Sequence, residues 1–190
     1  MHENANFATG IQRPLQFPNS GGKDYEFSLE KADQEIDVNI RGPMHLCVHL
    51  LPHLTSLPSN KTGIIMNVSS SLGFIPHEII NPVYCSTKTW LHYFTVIMRS
   101  QYKTQGGDAR LKVIEIVPPQ VETDLHRERK DPDDNKKSKS KVALSLDEFM
   151  NEVEDGWKNG DETITAGPGH EGVKLWFEGI GKKYENMVGA

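Results

Sequence analysis

The chain has 190 residues, of which 36% are hydrophobic and 25% charged, with a formal net charge of −5. That length suits one domain with a sizeable core, and the acidic balance speaks against nucleic acid, whose binders present a basic face. Apolar runs last only a few residues, so no membrane span is expected, and Cys47 and Cys85 offer no disulfide framework. With no signal-peptide character at Met1-His2-Glu3-Asn4, a cytoplasmic, reducing setting is the default expectation.

Residues 1–28 are polar and rich in Gly, Pro and Asn, and read as irregular chain. From 29 to about 54 apolar residues recur at helical spacing: Leu29, Ala32, Ile36, Ile40, then Met44, Cys47, Leu50, Leu51 and Leu54. Pro43 interrupts this pattern. It has no N–H, so the carbonyl four residues back, on Asn39, loses its helical partner. A kinked helix with a freed carbonyl at Asn39 is expected, and Pro52 marks a second break. His45, His49 and His53 share one face of this helix. Without a converging cysteine or carboxylate set they read as a histidine stripe rather than a metal site.

Gly63-Ile64-Ile65-Met66-Asn67-Val68 is a short apolar run that reads as a strand buried on both faces, the parallel-sheet pattern. After a loop over 71–83, a helix is predicted from 83 to about 102, with Val83, Trp90, Phe94 and Ile97 as a core or subunit-interface stripe. The run 111–117 is a second strand, stopped by Pro118-Pro119. Residues 126–141 are charged and nearly free of apolar side chains, and read as a solvated, mobile segment, lid-like over 125–145. Ser145-Leu146-Asp147-Glu148 is a capping box opening a helix that carries Leu146, Phe149, Met150, Val153 and Trp157. A short strand at 163–166 and a last helix bearing Val173, Trp176, Phe177, Ile180 and Tyr184 complete the order. Strands alternating with helices imply an α/β, doubly wound parallel sheet. Its ligand crevice lies beyond the carboxyl ends of the strands, where Ser70 and residues 118–123 fall.

Tyr84 and Lys88 lie one helical turn apart, on one face. A free tyrosine, with a pKa of roughly 10, is a poor acid or base at neutral pH. A neighbouring ammonium favours the phenolate and brings the phenol nearer the range that general acid–base catalysis needs. A serine hydroxyl from Ser69, Ser70 or Ser71 would hold a substrate oxygen against that phenol. Tyr-x-x-x-Lys is short enough to occur by chance, so its setting carries the reading: the serine cluster ends a buried strand and Tyr84 opens the next helix. Cys85 reads as a packing residue. Ser70 with His77 lacks the Gly-x-Ser-x-Gly elbow of a hydrolase.

Asn67-Val68-Ser69-Ser70-Ser71-Leu72-Gly73 followed by Tyr84-Cys85-Ser86-Thr87-Lys88 resembles the catalytic region of the short-chain dehydrogenases/reductases. Asp37-Val38-Asn39-Ile40-Arg41-Gly42-Pro43 is similar to that family's asparagine-bearing helix, and Val117-Pro118-Pro119-Gln120-Val121-Glu122-Thr123-Asp124 to its nicotinamide-side segment. The double proline resembles the DltE-like subgroup. The resemblance implies a Rossmann-like fold, with 1–190 as one partial NAD(P)-binding domain. It also implies a catalytic set of Asn39, Ser70, Tyr84 and Lys88. Tyr84 would be the acid/base, with Lys88 lowering its pKa and binding the nicotinamide ribose. Ser70 would orient the substrate oxygen, and Asn39 would anchor a water relayed to Lys88. Cofactor contacts would come from Gly10, Tyr84, Lys88, Pro118, Val121 and Thr123. The implied cofactor is NAD or NADP, and the implied substrate is a small carbonyl or alcohol. The implied partner is a second copy or a full-length relative.

The family's Gly-rich strand–turn–helix, which holds the pyrophosphate, has no counterpart here. Its Asn-Asn-Ala-Gly is replaced by Phe7-Ala8-Thr9-Gly10. Roughly two βαβ-sized units precede that landmark in the family. The sequence therefore predicts about three to four strands, an exposed sheet edge and weak NAD(P) binding by this chain alone. Two readings follow: a short-chain oxidoreductase, or a catalytically inactive remnant serving as an interaction or regulatory partner.

Overall fold

The computed structural model describes residues 29–58, 60–77, 82–104, 111–126 and 131–189, and the expectations at Gly10 and elsewhere in 1–28 lie outside them. Helix α1 (Leu29–Ile36) runs through a π-helical turn, Asp37–Arg41, into α2 (Gly42–Thr55). The kink predicted at Pro43 takes this form. Gly42 N–H reaches back to Asp37 O, and Pro43 follows in the first turn of α2, where a missing N–H costs least. Pro52 lies inside α2 and does not end it: one lost bond in the last turn is tolerated there.

Strands β1 (Gly63–Val68), β2 (Leu111–Val117) and β3 (Thr163–Thr165) form a parallel sheet in the order β1-β2-β3. Val68 is paired with Ile116 and Val117 with Thr165, so the carboxyl ends of all three strands finish on one side. Between β1 and β2 lies α3 (Pro82–Thr104), and between β2 and β3 lies α4 (Leu146–Asn159). The predicted doubly wound α/β architecture is the one observed.

On one face, Ile65, Leu111 and Val113 pack with Cys47 under Leu51 and Leu54 of α2 and under Phe94, Met98 and Tyr102 of α3. On the other face, Ile114 and Ile164 pack under Phe149 and Val153 of α4. This second layer stops short of β1, where Ile64, Met66 and Val68 stay 37%, 43% and 38% exposed. The reading of Gly63–Val68 as a strand buried on both faces is therefore corrected: one face is covered. A continuous apolar run does not say which neighbour covers which side.

The capping box forms: Ser145 Oγ accepts from Glu148 N–H while the Glu148 carboxylate accepts from Ser145 N–H, and Gly160 closes α4 with φ 79°. The predicted last helix is α5 (Gly169–Trp176) and α6 (Lys182–Val188), joined by a second π turn, Phe177–Gly181. No helix among the described residues is long and apolar enough to cross a membrane.

The charged segment 126–141 is more than a solvated loop. Asn135 is 1% exposed, and its Nδ2 donates to Val121 O and Thr123 O, each at 3.0 Å. Leu144 N–H donates to Gln120 O, and Glu122 N–H to Leu144 O. The described part of the segment thus folds back on residues 120–123. Polar donors, among them the buried Asn135, Lys136 Nζ to Thr123 O and Ser140 Oγ to Gln120 Oε1, hold it, so few apolar side chains are needed.

Candidate active site

The pairing of β1 with β2 continues past the strand ends. Ser69 N–H donates to Ile116 O at 2.9 Å and Ser71 N–H to Pro118 O at 3.0 Å. Between them, extended Ser70 caps a 3-10 turn, Ser71–Gly73. Its Oγ accepts from Leu72 N–H at 3.2 Å. That bond uses an acceptor position and leaves the hydroxyl proton for another oxygen. Ser69 is committed elsewhere, with its hydroxyl donated to Glu115 Oε1 at 2.5 Å.

The turn lies directly on α3. A Cβ added to Gly73 would sit 2.8 Å from the carbonyl carbon of Lys88 and 2.9 Å from its oxygen. Thr89 Oγ1 donates to Gly73 O at 3.0 Å. Only glycine permits this approach, so Gly73 helps set the distance between the serines and the Tyr84–Lys88 turn.

Tyr84 is half-buried and Lys88 buried, on successive turns of α3, with Lys88 Nζ 5.6 Å from the Tyr84 ring centroid. Lys88 Nζ donates to Val68 O, the last carbonyl of β1, at 3.0 Å. Burial pulls the Lys88 ammonium down to about 8, against the opposing effect of the Glu35 carboxylate, itself fully buried on α1. Asn39 reaches the same turn from the π-helical segment. Its Nδ2 donates to Thr87 Oγ1 at 3.1 Å, and Thr87 Oγ1 donates to Tyr84 O at 2.8 Å.

The remaining predicted contacts lie on the strand-end side. Pro118 O is taken by Ser71 N–H, Val121 O is held by Asn135, and Thr123 Oγ1 accepts from Leu125 N–H at 3.3 Å. The fold thus ties Asn39 to the Tyr84–Lys88 turn, seats the Ser70 turn against that turn, and fastens 121–123 separately through Asn135.

Sequence reasoning missed Thr87, Asn135, Glu115 and His92. For Glu115 a signal existed. In Leu111–Val117 it falls on the same side as Leu111 and Val113, and an inward carboxylate requires partners. Thr87 gives no such signal, because a helical threonine usually just bonds its own backbone.

A parallel α/β sheet with a tyrosine–lysine pair, a strand-end serine and an asparagine docked on the same turn defines a Rossmann-like architecture. The sequence profile of the short chain dehydrogenase family matches residues 9–134, and the chain belongs to that family. It is 34% identical over 156 residues to the uncharacterized oxidoreductase DltE of Bacillus subtilis, covering 82% of this chain and 55% of that protein. An uncharacterized oxidoreductase of Staphylococcus epidermidis is 34% identical over 100 residues, 53% of this chain and 40% of its own. The chain thus spans about half the length of the curated relatives it matches. In fold it is similar to a short-chain dehydrogenase from Sphingobium yanoikuyae in complex with NADPH, at TM-score 0.68 and 16% identity over 95% of this chain and 62% of the other. A Burkholderia cenocepacia short chain dehydrogenase in complex with NADP gives TM-score 0.63 and 17% identity over 96% and 66%.

Proposed function

We propose that this chain carries the catalytic half of an NAD(P)-dependent oxidoreductase acting on a carbonyl or alcohol. The observation that carries the reading is the buried Lys88 ammonium, held at the end of β1 beside the Tyr84 ring. Tyr84 exchanges a proton with the substrate oxygen, and the adjacent positive charge favours its phenolate. Ser70 orients that oxygen with its uncommitted hydroxyl proton. Asn39, tied through Thr87 to the backbone of Tyr84, stands at the head of a proton path toward Lys88.

The residues present fit the nicotinamide half of the cofactor. An ammonium has three donors, and among the described residues Lys88 spends one on Val68 O, leaving donors for ribose hydroxyls. Val121 and Thr123 line the carboxamide side on a segment fastened by Asn135. When bound, the nicotinamide gives or takes the hydride. The oligomer we propose is a homodimer through the outer face of α3, where Tyr93 and Ile97 are 42% and 43% exposed. In that helix the Trp90 and Phe94 rings stack with centroids 4.8 Å apart.

The test is NADPH-dependent reduction of a panel of ketones and aldehydes by the full chain, with NADPH binding followed by fluorescence. Tyr84→Phe is expected to lower turnover by roughly 10²-fold or more, with a far smaller change in NADPH binding. Equal turnover in Tyr84→Phe, or none in the parent chain with every carbonyl, would sink the reading and leave a binding role.

A further inference from the structure

The proposed chemistry leaves unused a buried carboxylate and a buried imidazole next to the serine turn. Ser69, Glu115 and His92 are 2%, 0% and 0% exposed. Ser69 Oγ donates to Glu115 Oε1 at 2.5 Å, and His92 Nδ1 lies 2.9 Å from Glu115 Oε2. His92 Nε2 has no hydrogen-bond partner among the described residues. Burying a carboxylate, an imidazole and a hydroxyl between α3 and the sheet is costly. An apolar set would pack the same space, so the cost points to a geometric task.

That task is visible in what the three side chains touch. Ser69 immediately precedes Ser70. In an extended stretch successive side chains alternate in direction, so a Ser69 hydroxyl fixed toward Glu115 turns the Ser70 side chain the other way. At the far end of the turn, Phe74 packs on the His92 ring with centroids 4.2 Å apart. The imidazole also meets Trp176 of α5, at 4.4 Å and 90°. One carboxylate–imidazole pair therefore touches the residue before Ser70 and the residue that closes the turn after it, and it braces both against β2, α3 and α5.

We propose that the buried Glu115–His92 pair positions Ser70, gripping its turn at both ends through the Ser69 hydroxyl and the Phe74 ring. This rests on the reading of Ser70 as the residue that orients the substrate oxygen. Glu115, His92 and Ser69 touch neither substrate nor cofactor in it, and are positioning residues.

Ser69→Ala, His92→Leu and Glu115→Gln are compared with Tyr84→Phe in the full chain, by turnover, by NADPH fluorescence titration and by amide hydrogen exchange. Ser69→Ala and His92→Leu are expected to lower kcat by roughly tenfold to a hundredfold, the usual cost of a misplaced group, with NADPH affinity unchanged. The Ser71 and Gly73 amides, which bond Pro118 O and Ser70 O, should exchange several-fold faster while Ile65 keeps its protection. Glu115→Gln is the conservative variant: its amide oxygen still accepts from Ser69, and its amide nitrogen replaces the oxygen that accepted from His92 Nδ1–H, donating to Nδ1 once the imidazole carries its proton on Nε2; it should stay nearer the parent than Ser69→Ala. Ser69→Ala is small enough to fold if His92→Leu does not. Parent-like exchange at Ser71 and Gly73 in Ser69→Ala overturns the proposal whatever the turnover. Parent-like kcat in Ser69→Ala with Tyr84→Phe inactive overturns it while leaving the oxidoreductase reading standing. Turnover unaffected by Tyr84→Phe removes the catalytic reading, and exchange alone then decides whether the pair holds the turn.

Discussion

Helix α3 crosses the sheet as two different interfaces. Toward the amino ends of β1 and β2 it sets Phe94 and Met98 on Ile65, Leu111 and Val113. Toward the carboxyl ends the same helix sets Thr95, His92 and Lys88 against the Asn67 amide, the Glu115 carboxylate and the Val68 carbonyl, each by a hydrogen bond or ion-pair contact of 2.9 to 3.0 Å. The first half removes apolar surface from water and supplies stability in proportion to area, at roughly 25 cal/mol per Å². The second half comes close to breaking even. Each hydrogen bond nets only about 1 kcal/mol, and burying a carboxylate or an ammonium works against it. What the polar half contributes is direction, since a hydrogen bond fixes an angle and a methyl contact does not. The site stands at the end of the helix where geometry is specified and stability is given up.

The sharpest way to break this comparison is to empty each half in turn. Ile65→Ala, in the apolar half, is expected to cost about 2–5 kcal/mol, the usual range for a buried isoleucine with the cavity it leaves. Urea unfolding measures it, and the turnover of the folded protein should not change. A loss well under 1 kcal/mol would mean that this cluster is not the stabilising half. Gly73→Ala acts where the serine turn meets α3, and its Cβ would strike Lys88 main chain rather than a yielding side chain. Overpacking of this kind costs about 1–3 kcal/mol. The turn must also lift away from α3, so kcat is expected to fall beyond what the loss of folded protein accounts for. A stable, fully active Gly73→Ala chain would show that the turn has room the structure does not give it.

Much of the fold could be read from the chain because its signals are local. Strand periodicity at 111–117, the missing N–H of Pro43 and the Ser145/Glu148 pair each act within a few residues, and each is matched by an element of the structure. What could not be read depends on distant partners. The run Gly63–Val68 does not reveal that no described helix covers Ile64 and Met66. The polarity of 126–141 hides the one asparagine that goes inside. At the site, the motif spacing names Tyr84 and Lys88, and the family resemblance implies Asn39 and Ser70, with Ser69 and Ser71 as competitors. The fold sets Ser69 apart by bringing Glu115 of β2 against its hydroxyl, while Ser70 keeps its own proton.

The smallest effect sharpens the comparison, because only the polar half contains a group that titrates near neutrality. Lys88 has its ammonium pulled down to about 8 from 10.5, with desolvation as the main cause. The unfolded chain therefore holds this proton at pH values where the folded chain has begun to lose it. More protons bound in the unfolded state means stability that rises with pH. The cost of burying the ammonium is full below about pH 8 and is relieved as pH climbs toward 10.5. Between about pH 7 and about pH 9 the gain should be about 1 kcal/mol, read as a rising urea midpoint. Lys88→Met fills the same space without charge. It should remove this rise and lose the turnover assigned to Tyr84. Identical pH dependence in the parent and Lys88→Met chains would show that the buried ammonium costs nothing, and the division of α3 into a stabilising and a directing half would fail at its most important residue.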